Sequence, residues 1–227
     1  MPAPSRIILL DLDGTLTDHD RAFSDWSAEF SADYDIPLEQ ILEADQKHPT
    51  RHEFFHALRT AFRLRPSVLS LMDDYRIRTA ELVPHRPEVC QAMGRLRAEG
   101  WALGVVTNGT PDAQRLKLDV AGLSAYFTSV VISGAFGVRK PDPALFRLAL
   151  DDLEADASTP AVMVGDLLDT DIAGGNAAGL TTVWIKGDQE RTARDPAPTH
   201  TVVTVIEAAE LLLSGPLSAP PRHLTST

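Results

Sequence analysis

Apolar runs rich in β-branched residues recur at 6 to 10, 102 to 107, 129 to 133, 161 to 165, 181 to 185 and 201 to 205, with helix-period patterns between most of them. Short apolar runs of this kind read as buried strands, and their alternation with helices predicts right-handed crossovers and one parallel sheet. The expected fold class is therefore α/β, with a Rossmann-like parallel sheet as its core. The stretch from 18 to 85 breaks the alternation. It carries no convincing strand and reads as four helices, over 21 to 34, 38 to 46, 50 to 63 and 67 to 82. Thr50 with Glu53 three residues later forms a capping box, and Pro37 suits the first turn of its helix. Phe54, Phe55, Leu58, Ala61 and Phe62 give the third helix one apolar face. Val83 to Pro87 returns the chain to the sheet, and a helix over 87 to 99 ends on Gly100 as its carboxyl cap. The predicted organisation is a discontinuous core, 1–17 and 86–213, an inserted helical domain, 18–85, and a flexible tail rich in Pro and Ser, 214–227.

Four of the predicted strands run directly into polar residues. Ile7 to Leu10 leads to Asp11-Leu12-Asp13-Gly14-Thr15, and Leu103 to Val106 leads to Thr107-Asn108-Gly109. Val130 to Ser133 leads on to Arg139-Lys140-Pro141, and Ala161 to Val164 is followed by Gly165-Asp166. Residues just past the carboxyl ends of parallel strands converge on one crevice, so four segments far apart in sequence can meet there.

The chemistry this set can perform is phosphoryl transfer. A phosphate monoester repels nucleophiles and has a poor leaving group, so a catalyst must supply neutralising charge, positioning and a proton. Asp11 is the candidate nucleophile, forming an aspartyl-phosphate. Asp13 lies two residues on and points the same way if the chain stays extended; it is the candidate acid and base for the leaving oxygen and for water. A carboxylate approaches a phosphate dianion only with a cation between them, and oxygen donors are what magnesium prefers, so Asp166 is expected to complete a Mg2+ site with Asp11. Asp171 is placed to anchor the metal's surroundings indirectly, and Asp169 is expected to cap a helix over 170 to 178. Thr107 and Asn108 precede the cap-and-proline start Thr110-Pro111, and Lys140 precedes a second one, Asp142-Pro143. All three are candidate phosphate ligands. Arg139 reads as surface.

Charge narrows the partners. The 227-residue chain carries a net charge of −11 at pH 7, which disfavours a nucleic-acid partner and leaves a phosphorylated small molecule held by local cations. No apolar run approaches the roughly 20 residues of a membrane span, and no signal-peptide pattern opens the chain, so a cytoplasmic protein without membrane contact is expected. The one cysteine, Cys90, shares helical spacing with Val89, Met93 and Leu96 and reads as a core thiol.

The four segments closely resemble the signatures of the haloacid dehalogenase-like hydrolase superfamily, in order Asp11 to Thr15, Thr107 to Gly109, Lys140 to Asp142, and Gly165-Asp166 through Asp171. The resemblance covers about residues 6 to 213. It implies that Asp11 is nucleophile and metal ligand, that Asp13 is acid/base with its backbone carbonyl on Mg2+, that Asp166 is the third protein ligand, and that Thr107, Asn108 and Lys140 hold the phosphoryl group. It also implies that the helical insert is a C1 cap that closes over substrate. The dehalogenase branches lack a second acid at the position of Asp13, so phosphatase is the reading favoured. Runs such as Val164 to Ile172 and Thr182 to Ile185 are similar to the branch holding pyrimidine nucleotidases and N-acylneuraminate-9-phosphatases, which implies a nucleoside monophosphate or a sugar phosphate as substrate. The alternatives are a haloacid dehalogenase, a phosphonatase-type hydrolase (for which Lys47 is the sole lysine between 18 and 85), a phosphate-binding relative without activity, and a phosphorylated signalling module. Trp26, Arg51, His52, His56 and Arg59 are candidates to face the substrate. The resemblance is compatible with a monomer or a homodimer.

Overall fold

The structure is a computed structural model and describes residues 4–215. Ile7–Leu10 forms β1, the centre of a six-stranded sheet whose every pairing is parallel. The other strands are β2 (Ala102–Thr107), β3 (Ser129–Ile132), β4 (Ala161–Gly165), β5 (Thr181–Ile185) and β6 (His200–Val202), in the spatial order β3-β2-β1-β4-β5-β6. Leu10, the last residue of β1, sits opposite Val105 on one side and Val164 on the other, so β2 runs on two residues to Thr107 and β4 one residue to Gly165. All four residues of β1 are buried, as a strand covered on both faces requires.

The helices are α1 (His19–Tyr34), α2 (Leu38–Lys47), α3 (Arg51–Phe62), α4 (Val68–Glu81), α5 (Pro87–Ala98), α6 (Pro111–Val120), α7 (Ser133–Phe136), α8 (Pro143–Asp152), α9 (Ala173–Ala177) and α10 (Val205–Ser214). Leu145, Phe146 and Ala149 of α8 pack with Ile7, Leu9, Val106 and Met163 in one core cluster. Fully burying each large side chain of such a cluster contributes roughly 1.5–3 kcal/mol. Cys90 of α5 is buried, and that burial pushes its thiol above the usual cysteine value.

The chain divides into two compact units, residues 1–17 with 85–227 and residues 18–84. The second unit is α1 to α4. Trp26, Phe30, Ile41, Phe54, Phe55, Leu58, Leu71 and Tyr75 form its core, with Trp26 and Phe30 stacked at 4.8 Å between ring centroids. Thr50 accepts from the Glu53 backbone N–H at 3.2 Å, the N-cap half of the expected capping box, and its hydroxyl donates to the Glu53 carboxylate at 2.9 Å.

Three local expectations differ from the structure. The last strand ends at Val202, and Val205 already belongs to α10, whose amino end is capped by the Thr204 hydroxyl. Pro37 stands at the N-cap position of α2 rather than inside its first turn. The helix expected over 170 to 178, with Asp169 as its cap, is instead a π-helical turn, Leu168–Ile172, followed by the short α9. In that turn the Ile172 N–H reaches the Leu167 carbonyl at 3.3 Å, and the Asp171 carboxylate accepts from the Leu167 N–H at 3.0 Å. The wider turn rolls Asp171 inward, a common use of π geometry at functional sites. Of the expected tail, Ser214 closes α10 and residues 216–227 lie outside the described residues.

Candidate active site

The loop after β1 is tied to itself. The Leu16 and Thr17 N–H groups both reach the Leu12 carbonyl at 2.9 Å, and Gly14 N–H reaches Thr17 O at 3.0 Å. Asp11 opens this loop from a buried position, with its N–H on the Val164 carbonyl of β4 at 3.0 Å. Gly14 takes φ +82°, and a Cβ there would stand 2.4 Å from Asp166 Oδ2. Only glycine lets the loop turn and lie against that carboxylate.

Lys140 is the hub of the site. Its ammonium, 3% exposed, donates to Asp11 Oδ1 at 2.5 Å and to Asp171 Oδ1 at 2.7 Å. Its backbone is gripped by Asn108, whose Oδ1 accepts from the Lys140 N–H at 2.9 Å and whose Nδ2 donates to the Lys140 carbonyl at 3.2 Å. Asp166 is held by the Thr15 hydroxyl on its Oδ1 at 3.0 Å and by the Trp184 indole N–H on its backbone carbonyl at 2.9 Å. Carboxylate oxygens of Asp11, Asp166 and Asp171 all lie within 4.8 Å of one another.

Asp13 goes elsewhere. Its carboxylate faces α6, where Lys117 Nζ donates to Oδ1 at 2.8 Å and to Oδ2 at 2.7 Å and Gln114 Nε2 donates to Oδ2 at 3.1 Å. Gln114 Nε2 also donates to the buried Thr107 hydroxyl at 2.7 Å. Of the expected site residues, Asp11, Asp166, Asp171 and Lys140 thus share one cluster. Asn108 holds the Lys140 backbone through its oxygen and one amide hydrogen, and Asp13 and Thr107 are joined through Gln114. Arg139 and Asp169 are exposed.

Within the helical unit, Trp26 is 4% exposed in the core. Arg51 pairs with Asp45 and lies over the rings of Phe23, Phe54 and Tyr75. His52 and His56 stack on each other at 6.4 Å, and Arg59 donates to the Pro66 carbonyl at 2.8 Å.

Two buried carboxylates, Asp11 and Asp171, and a half-buried one, Asp166, against one ammonium leave the cluster short of positive charge. Burial, then Asp171 and Asp166, push Asp11 up to about 8 against the opposing pull of Lys140. Burial and then Asp171 raise Asp166 to about 6. Burial works against the Lys140 ammonium, but Asp11 and Asp171 outweigh it and hold the group above the usual lysine value. The donor set is all oxygen and the charge deficit suits a divalent ion, so the residues present fit Mg2+.

Raised carboxylate values mean that the ionised forms are disfavoured in the folded chain relative to the unfolded one. That handicap is absent below about pH 4, grows as pH rises, and is complete above the folded value of about 8 for Asp11. With metal chelated, the thermal midpoint is therefore expected to fall as pH rises from about 4 to about 8, the Asp166 share being complete by about 6 and the Asp11 share by about 8. Asp11→Asn should flatten that fall. Parallel melting profiles for parent and variant would show that Asp11 does not carry the effect.

A parallel sheet with an aspartate, a lysine and two further carboxylates clustered past the ends of β1 and β4 has the plan of a hydrolase built on a carboxylate cluster. Residues 6–179 match the haloacid dehalogenase-like hydrolase family, and the chain belongs to that family. It is 43% identical to the phosphoserine phosphatase of Thermus thermophilus over 113 residues, 50% of this chain and 44% of that protein. The chain thus spans less than half the length of that relative. With the pyrimidine 5'-nucleotidase YjjG of Escherichia coli it is 29% identical over 221 residues, 90% of this chain and 96% of that one. Among solved structures, YfnB of Bacillus subtilis, determined with bound magnesium, superposes with a TM-score of 0.75 at 22% identity, covering 92% of this chain and 99% of that one, which shows the shared fold.

The strand-end pattern does not single out two further residues of this site, Gln114 and Lys117. Their signal was present as two polar residues at i, i+3 on α6, buried on the same helix as Ala113 and Leu118.

Proposed function

We propose that the protein is a Mg2+-dependent phosphatase acting on a small phosphate monoester through an aspartyl-phosphate. The observation that carries this reading is the convergence of Asp11, Asp166 and Asp171 within 4.8 Å, with Lys140 bonded to two of them. The phosphatase names of the relatives, phosphoserine phosphatase and pyrimidine 5'-nucleotidase, support it. Asp11, Asp166 and the Asp13 backbone carbonyl would hold Mg2+, with Asp171 supporting the site. The ion, when bound, supplies the positive charge that lets a carboxylate approach a phosphate dianion.

An oxygen of Asp11 attacks phosphorus, the bond from phosphorus to the ester oxygen breaks, and Asp13 delivers its proton to the departing alkoxide. Water then attacks the acyl phosphate, its proton passes to Asp13, and Asp11 leaves as a carboxylate. Lys140 and Thr107 hold the phosphoryl oxygens, and Asn108 keeps Lys140 in place. The presence of Asp13 favours phosphatase over dehalogenase, since halide departure needs no proton. The helical unit, 18–84, acts as the cap that sets substrate choice, because the core residues attend to the phosphate alone. The substrate class is a nucleoside monophosphate or a sugar phosphate, and the protein is cytoplasmic.

Hydrolysis of p-nitrophenyl phosphate is expected with Mg2+ and should drop at least about 100-fold in chelator, as loss of several kcal/mol of charge stabilisation dictates. Turnover undiminished by chelator would remove the metal from the reading. A panel of nucleoside monophosphates, sugar phosphates and phosphoglycolate then ranks the substrates by kcat/KM.

A further inference from the structure

We propose that Gln114 and Lys117 are positioning residues that orient Asp13 and, through Gln114, fix the hydrogen-bonding role of Thr107. The proposal rests on the phosphatase reading above and adds to it which residues aim the acid/base. Asp13 is not rigid by itself. Its side chain is 27% exposed, and it stands in the turn after β1 rather than in the strand. A group that must meet a leaving oxygen from such a position needs its rotamer held from outside.

Lys117 supplies that hold. Its ammonium, on a side chain only 8% exposed, touches both oxygens of Asp13, which fixes the carboxylate plane as well as its distance. The Thr17 hydroxyl adds a longer contact to Oδ1 at 3.3 Å, and Gln114 one to Oδ2 at 3.1 Å. A misplacement of about 1 Å in a reacting group costs on the order of 100-fold in rate, so orientation of this kind has a kinetic consequence.

Gln114 links the acid/base to the phosphate grip. One amide hydrogen goes to Asp13 and the other to the Thr107 oxygen. The opposite amide orientation would set its carbonyl oxygen against a carboxylate, so the donor assignment follows from the chemistry. With its oxygen accepting from Gln114, the Thr107 hydroxyl has its own proton left to give. Its only bonded alternative among the described residues is the Asn108 carbonyl at 3.4 Å, a long contact that a phosphoryl oxygen would outcompete. Gln114 is itself boxed in: Gly109, at φ +150°, lies so close that a Cβ there would stand 2.9 Å from Gln114 Cδ and Cγ. One face of α6 therefore serves the end of β2 and the loop after β1 together.

Hydrolysis of a series of ring-substituted phenyl phosphates, with Mg2+, separates this role from a structural one. An acid matters most when the departing phenoxide is basic. Lys117→Met is therefore expected to lower kcat/KM about 100-fold on phenyl phosphate and less than about 5-fold on p-nitrophenyl phosphate, with a leaving-group slope approaching that of Asp13→Asn. Lys117→Arg, which retains two donors, should restore the parental slope. Gln114→Leu should steepen the slope and also weaken competitive inhibition by inorganic phosphate about 10-fold, the equivalent of one hydrogen bond, whereas Lys117→Met should leave that inhibition unchanged. Equal losses on every phenol, or an unchanged or raised rate, overturn the inference while the phosphatase reading stands. A parent that hydrolyses none of the esters overturns both.

Discussion

Asp11→Asn is expected to lower kcat on p-nitrophenyl phosphate by about ten-thousand-fold or more while leaving the protein folded. An amide oxygen is a poor nucleophile and cannot form the acyl phosphate, and removing the group that bonds to the reacting atom typically costs on this scale, about 5.5 kcal/mol of barrier. The fold should tolerate the change because burial already disfavours the charge at this position. Asn keeps a carbonyl oxygen for the Lys140 ammonium, and Lys140 keeps its contact with Asp171. Initial rates with Mg2+, beside a thermal melt of the same preparation, check both halves. Parental turnover in the variant would end the nucleophile assignment, and a collapsed melt would show that the carboxylate is needed for the fold instead.

Lys140→Met should be the most destabilising single change in the site. The ammonium bridges Asp11 and Asp171, whose side chains are 7% and 0% exposed, and its removal leaves two buried carboxylates without their shared partner. Breaking a buried pair from one side costs about 3–5 kcal/mol, part of which the carboxylates recover by taking up protons. For a chain of this size that loss corresponds to a midpoint lower by roughly 10 °C. Because Mg2+ brings positive charge to the same carboxylates, it should raise the stability of the variant more than that of the parent. Urea denaturation near pH 8, with and without the ion, measures both effects. A variant as stable as the parent would mean that the carboxylates stay well solvated, contrary to their burial.

Much of this was legible in the sequence because the information was local. Six apolar runs announced six strands, and the absence of such a run between 18 and 85 announced the helical insert. The residues past β1, β2 and β4 were legible for the same reason: strand ends in a parallel sheet point to one place. What was not legible depends on geometry that no short window carries. Asp171 reads from sequence as an indirect anchor of the metal site early in a helix, but its direct contact with Lys140, made through the π turn, does not. Asp13 reads as pointing with Asp11, but the chain leaves extended geometry after Asp11, and Asp13 turns to a helix about a hundred residues later in the sequence. Gln114 and Lys117 belong to a helix whose hydrophobic pattern says only that one face is buried, not that the buried face is partly polar. Trp26 was the opposite case, a conspicuous side chain that the aromatic core of the helical unit accounts for fully.

The double grip of Asn108 on the backbone of Lys140 bears on the thermodynamics of turnover. It fastens the loop after β2 to the one preceding α8, so neither has to be gathered in when an anion arrives. In the phosphatase proposed above, the entropy of assembling that half of the cradle would be surrendered once, during folding, rather than in every cycle, with the lysine already in register for an incoming phosphoryl group.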